Sequence, residues 1–147
     1  MYYKVFLDTN IYDGANYSFH NAMFSLLRKM TEDGALQLKI NSVVEGEVKK
    51  HIGRDVKVAA KKLLEAVKDR SLSSFRNIPS FQDYLMIPNP KDWVQKAEEE
   101  FEEFLISCNC DRISINGIDV EKIMENYFNQ KWPFEAAKTD EFKDAFI

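Results

Sequence analysis

The chain has 147 residues, of which 45% are hydrophobic and 30% charged, and its formal net charge is −4. That length allows one domain with a real core, and the composition excludes a disordered polypeptide. No apolar run reaches the ~18 residues of a membrane span, and the acidic balance excludes a broad basic footprint for nucleic acid while suiting a site built from carboxylates.

Tyr2 to Leu7 predicts a first strand. Its near-continuous apolar character fits a strand buried on both faces of a parallel sheet. Charge lies too close to it for a signal peptide, so a cytoplasmic location is expected. Ser18 is the expected N-cap of a helix whose stripe is Phe19, Ala22, Met23, Leu26, Leu27 and Met30, stopped by Gly34. Leu36, Leu38 and Ile40 then alternate with Gln37 and Lys39, the pattern of a second strand.

Ser42 followed by Glu45 reads as a capping box that opens a helix. A longer helix follows, with Val56, Ala59, Ala60, Leu63, Leu64 and Val67 as its stripe. Residues 71–90 read as a loop-rich connection broken by Pro79, Pro88 and Pro90. Trp93, Val94, Ala97, Phe101, Phe104 and Leu105 mark another helix. Ile113 and Ile115 fit either a short extended piece or a turn. Asp119 caps a helix carrying Val120, Ile123, Met124, Tyr127 and Phe128, and Thr139-Asp140 opens a last one at Glu141. Strands alternating with helices predict an α/β, helix-rich chain.

The chain ends in EFKDAFI, with an apolar stripe unfinished, and two strands are too few for a stable open sheet. The expectation is therefore a fragment of a longer chain with an incomplete sheet. Such a sheet and stripe favour self-association into a homo-oligomer. Cys108 and Cys110 stand two residues apart, a poor spacing for a disulfide, and read as reduced structural thiols.

Three acids hold comparable positions. Asp8 ends the first strand in the polar run Asp8-Thr9-Asn10. Glu47 lies in the first turns of the helix after the second strand, and Asp144 in the first turns of the last helix. Ligands of open parallel sheets bind outside the carboxyl ends of strands. Carboxylates converging there need a hard cation between them, and Mg²⁺ and Mn²⁺ prefer such oxygen ligands. Each acid also has a plain alternative: a turn residue for Asp8, a solvated helix face beside Lys49 and Lys50 for Glu47, and a favourable helix-dipole position for Asp144. Glu45 is accounted for by the capping box; Glu47 is not.

The segments VFLDTN (5–10), INSVVEGEVKKHI (40–52) and ENYFNQKWPFEAAKTDEFKDAFI (125–147) together resemble a PIN-domain ribonuclease. The last resembles in particular a bacterial PIN-like subfamily with a large helical insertion. The resemblance implies a FEN-type nuclease-like parallel sheet flanked by helices. It implies a single domain over 1–147 in which 53–124 is the insertion. It further implies metal-assisted hydrolysis of RNA, single-stranded or structured, with Asp8, Glu47 and Asp144 around Mg²⁺ or Mn²⁺ and with Thr9 and Asn10 supporting the site. The family commonly places a further acid on a later strand end, beyond the last residue of this chain.

Lys49 to Arg70 holds eight Lys/Arg against three Asp/Glu. Lys57 and Lys61 on that stretch, and Lys138 before the last helix, are candidates for substrate phosphates. A solvated helix face explains the same lysines. Tyr127, Phe128, Trp132 and Phe134 suit base stacking or the anchoring of a loop. Two other functions compete: a catalytically inactive PIN-like module that binds RNA or protein, and a phosphate-transfer enzyme of the haloacid dehalogenase type. The second wants an acid two residues after the first, where this chain has Asn10.

Overall fold

The computed structural model describes residues 2–70, 72–75, 77–81 and 89–131. Strand β1 (Tyr3–Phe6) is followed by helices α1 (Thr9–Gly14) and α2 (Ala22–Glu32), then by β2 (Leu36–Asn41) and helix α3 (Ser42–Lys68). A 3-10 turn (Ser73–Phe75), helix α4 (Pro90–Ser107), strand β3 (Asp111–Ile113) and helix α5 (Val120–Phe128) follow. None of the described helices is long and apolar enough to cross a membrane.

The described strands form one sheet in the order β1-β2-β3, parallel throughout. β2 is its centre, because its alternation of apolar and polar residues matches the pleat: Leu36, Leu38 and Ile40 are buried while Gln37 and Lys39 are half-buried. Tyr3 faces Leu36 across the β1–β2 ladder, and Lys39 faces Asp111 across β2–β3. The expectation that β1 is covered on both faces does not hold. Tyr3 is 74% exposed, because β1 is an edge of the described sheet and β2 took the interior place.

A third strand is present where the sequence left Ile113 open. Three residues with a single apolar side chain carry little strand signal. Ion pairs fix the segment instead: Lys39 with Asp111, and Arg112 Nε with Glu45 Oε2 at 3.1 Å.

Between β1 and β2 the chain differs from the predicted single helix. α1 is six residues long, too short to leave a periodic stripe, and the cap of α2 is Asn21, whose Oδ1 accepts from Phe24 N–H at 2.9 Å. Ser18 lies in the preceding turn. Phe19 is nevertheless buried, against Phe24 at a ring separation of 5.5 Å, and Phe24 in turn stacks on Tyr12 at 5.8 Å. This aromatic cluster holds α1 and α2 together, each such pair adding about 0.5–1.5 kcal/mol beyond its buried area. α2 packs against β2.

The two helices expected after β2 are one, of 27 residues. Gly53 does not interrupt it; the residue is buried, and an added Cβ would meet Val94 Cγ1 at 3.6 Å. The capping box is also replaced. Ser42 already belongs to α3, and buried Asn41 caps it, its Oδ1 accepting from Val43 N–H at 3.1 Å and Val44 N–H at 3.0 Å. Asn and Ser are comparable caps, and the last residue of β2 stands one position nearer the strand.

The chain forms two compact units. The first comprises the described residues up to Val48 and from Ile106 to Lys131, and it contains the sheet; Leu38, Ile40, Val44, Val48 and Cys108 are among its buried residues. The second, Lys49–Leu105, is helical in its described part, with Ile52, Ala60, Phe101, Phe104 and Leu105 buried. The last helix expected at Glu141 lies outside the described residues.

Candidate functional site

Parallel strands present their carboxyl ends on one side of the sheet, where the chain turns into helices. Here β1 runs out at Phe6 and α1 begins at Thr9, while β2 ends at Asn41 directly against Ser42 of α3. Asp8 is the N-cap of α1, in extended backbone. Its Oδ1 accepts from the Thr9 N–H at 2.7 Å, and its Oδ2 accepts from Asn10 Nδ2 at 2.8 Å. The carboxylate is therefore oriented by two donors from the next two residues, which accounts for the polar run Asp8-Thr9-Asn10.

Thr9 itself is buried. Its hydroxyl donates to Glu47 Oε2 at 2.8 Å, across 38 residues of sequence. One threonine thus holds both acids, Asp8 through its backbone and Glu47 through its side chain. Both carboxylates are half-buried, so they keep a path to solvent. Glu45, two residues away on α3, is engaged by Arg112 of β3. The capping role expected for Glu45 does not hold, because Asn41 caps the helix and Arg112 is the partner of Glu45.

Among the described residues no group of three or more His, Cys, Asp and Glu side chains is arranged to hold a metal. The Asp8–Glu47 pair supplies carboxylate oxygens beside a hydroxyl, a donor set suited to a hard divalent cation rather than to a soft one. Asp144, the third acid of the sequence pattern, lies outside the described residues, as do Lys138, Trp132 and Phe134. Lys57 and Lys61 are exposed on the part of α3 that belongs to the second unit, Lys61 Nζ lying 3.9 Å from Glu65. Phe128 is exposed and meets Tyr127 edge-on at 5.4 Å.

In the same unit as the acids, the two cysteines are free thiols, Cys108 buried and Cys110 half-buried. Burial, with Cys108 beside it, pushes the Cys110 thiol up to about 12. Burial likewise raises Cys108 and the Tyr12 phenol, which lies near both cysteines. These groups are protonated at neutral pH and act as core, not as nucleophiles.

An open groove of about 320 Å³, missed by sequence reasoning, is lined by Asn10, Ile11, Gly14, Ala15, Asn21 and Met23. The one signal for it was Asn21 standing three residues before Phe24, the spacing of an N-cap.

The sequence profile of the PIN domain family matches residues 5–147 of the chain. No curated protein matches it, and no solved structure does.

Proposed function

The chain belongs to the PIN-domain family, and from that premise we propose that it is a divalent-metal-dependent endoribonuclease whose Asp8, Glu47 and Asp144 hold Mg²⁺ or Mn²⁺. PIN domains are in general nucleases that use divalent metals. The observation that carries the proposal to particular residues is the double hold of Thr9 on Asp8 and Glu47, at the carboxyl end of a parallel sheet.

A bound cation of this kind supplies charge neutralisation at a phosphodiester and a more acidic water. The protein's own part is positioning. The Thr9 backbone and the Asn10 amide fix the plane of the Asp8 carboxylate, and the Thr9 hydroxyl fixes Glu47. Neither acid then has to be ordered when substrate arrives. Lys57, Lys61 and Lys138 are assigned to phosphates of the RNA strand, as point charges that add affinity without reading sequence. The helical insertion, expected over residues 53–124, is assigned to residues 53–105 only, since β3 pairs with β2 in the sheet and the helical unit ends at Leu105.

Labelled single-stranded RNA incubated with Mn²⁺ and the chain, beside Asp8→Asn purified identically, tests the proposal. Cleavage by the parent that disappears in the variant supports it. Equal cleavage by both removes Asp8 from the reaction. Binding of RNA without cleavage by either protein favours the inactive-module alternative.

A further inference from the structure

The groove beside Asn10 is not needed to hold an ion, yet it begins at a residue that does part of that work. Asn10 lines the groove and also donates to Asp8 Oδ2 at 2.8 Å, so one residue links the groove to the Asp8 carboxylate. Its other walls come from α1 and the start of α2. Ile11 and Met23 stand 41% and 43% exposed there, large apolar side chains left open at the rim of a polar site. The six lining residues are all uncharged. The volume is at the lower end of the ~300–1,000 Å³ typical of small-ligand sites. An RNA strand lying with a phosphate at the carboxylates carries, one ribose away, a flat and uncharged ring.

Hydrogen-bond partners determine which end of each lining amide is committed. Asn10 must present Nδ2 to the Asp8 carboxylate, so its Oδ1 is the remaining acceptor. Asn21 must present Oδ1 to the Phe24 N–H, so its Nδ2 is the remaining donor. The groove residues therefore offer an uncommitted amide oxygen on Asn10 and an uncommitted amide nitrogen on Asn21, beside two apolar side chains. The loop joining α1 to α2 is fixed in shape: Asn16 and Tyr17 both adopt left-handed backbone, with φ of 48° and 54°, and the Tyr17 hydroxyl donates to Asp13 Oδ1 at 2.7 Å. Backbone strain of this kind persists only where the surroundings enforce it.

We propose that this groove is a nucleobase subsite, taking the base of the nucleotide next to the phosphate at Asp8 and Glu47, with Ile11 and Met23 against its faces and the Asn10 and Asn21 amides at its edge. The inference rests on the nuclease reading for the direction of the strand, but the subsite binds a base whether or not the phosphodiester is cut.

The test uses the full chain without metal. Uridine, cytidine, adenosine and guanosine are titrated by amide NMR, with ribose 5-phosphate as the control that lacks a base. Gly14→Leu is the principal variant, since Gly14 lines the groove, an added Cβ there meets nothing within 4 Å, and leucine favours a helix. Asn21→Asp keeps the cap and removes the donor. At least one nucleoside should shift the amides of residues 10–15 and 21–23, ribose 5-phosphate should not, and affinity should fall at least tenfold in Gly14→Leu at an unchanged or raised Tm. In RNA cleavage the same variant should raise KM with kcat held within twofold. Absence of any nucleoside shift in the parent, or equal affinity in Gly14→Leu, overturns the subsite. Nucleoside binding without cleavage would leave the subsite and remove the nuclease reading; cleavage with no response to Gly14→Leu would do the reverse.

Discussion

The two compact units use their charged side chains in different ways. In the sheet-bearing unit, polar groups are tied across long stretches of sequence: Thr9 to Glu47, Lys39 to Asp111, Glu45 to Arg112. In the helical unit Arg54 pairs with Asp55, Lys61 with Glu65 and Gln95 with Glu99, all within four residues, beside Lys49 with Glu102 at 3.5 Å. Long-range pairs cost more chain entropy to form and fix geometry in return. Exposed local pairs add little and hold nothing in place. The contrast indicates where a site of fixed geometry belongs and where a tolerant, charged surface belongs.

Substitutions should respect this contrast. The largest effect is expected from Asp8→Asn, which keeps a good helix cap but removes a carboxylate; RNA cleavage should fall roughly 10²–10³-fold with little change in Tm. Loss of stability with retained specific activity would break the contrast at its strongest point. Next, Leu38→Ala in the buried centre of the sheet should cost about 2–5 kcal/mol by urea unfolding, a transfer and cavity effect. Thr9→Val removes the hydroxyl that serves Glu47 while keeping shape. It should cost about 1–3 kcal/mol and lower cleavage, whereas Thr9→Ser should retain most of both.

The thiols give a pH test. Cys110 is raised to about 12 in the folded chain, above the ordinary thiol value of about 8.5. A raised value means that the neutral thiol contributes stability which is fully present below the unfolded value and is lost as pH rises through the folded one. The urea midpoint should therefore drop from about pH 9 upward, less steeply in Cys110→Ala, and disulfide reagents at about pH 8 should react slowly until the chain unfolds. The smallest effect is expected in the helical unit. Lys57→Ala and Lys61→Ala should leave stability within about 0.5 kcal/mol and change only the salt dependence of RNA binding, its slope falling by about one for each phosphate that is no longer neutralised. A large loss of stability at either lysine would show that this surface is as tightly built as the other unit.

Much of the fold could be read from periodicity. The alternation over residues 36–41 marks the second strand, and Asp119 caps its helix as its sequence position indicates, its Oδ1 accepting from Lys122 N–H at 3.0 Å. What failed to show was short or non-local. α1 has too few residues for a helical period, and β3 is held by partners some 70 positions away in the chain. The end of β2 misled because Asn41 and Ser42 are both good caps and only the structure shows which one the helix uses. For the site, Asp8, Thr9, Asn10 and Glu47 were legible as residues, but the bond from Thr9 to Glu47 was not, since nothing in spacing joins positions 38 residues apart. The groove showed only in the cap spacing of Asn21, because it is made by a turn between two helices, one of which left no periodic signal.

Mn²⁺ binding followed by electron paramagnetic resonance, on the parent chain, Asp8→Asn and Glu47→Gln, addresses the central claim without depending on substrate. The account predicts saturable binding by the parent that weakens at least tenfold in each variant. Binding of equal strength in all three proteins would contradict it.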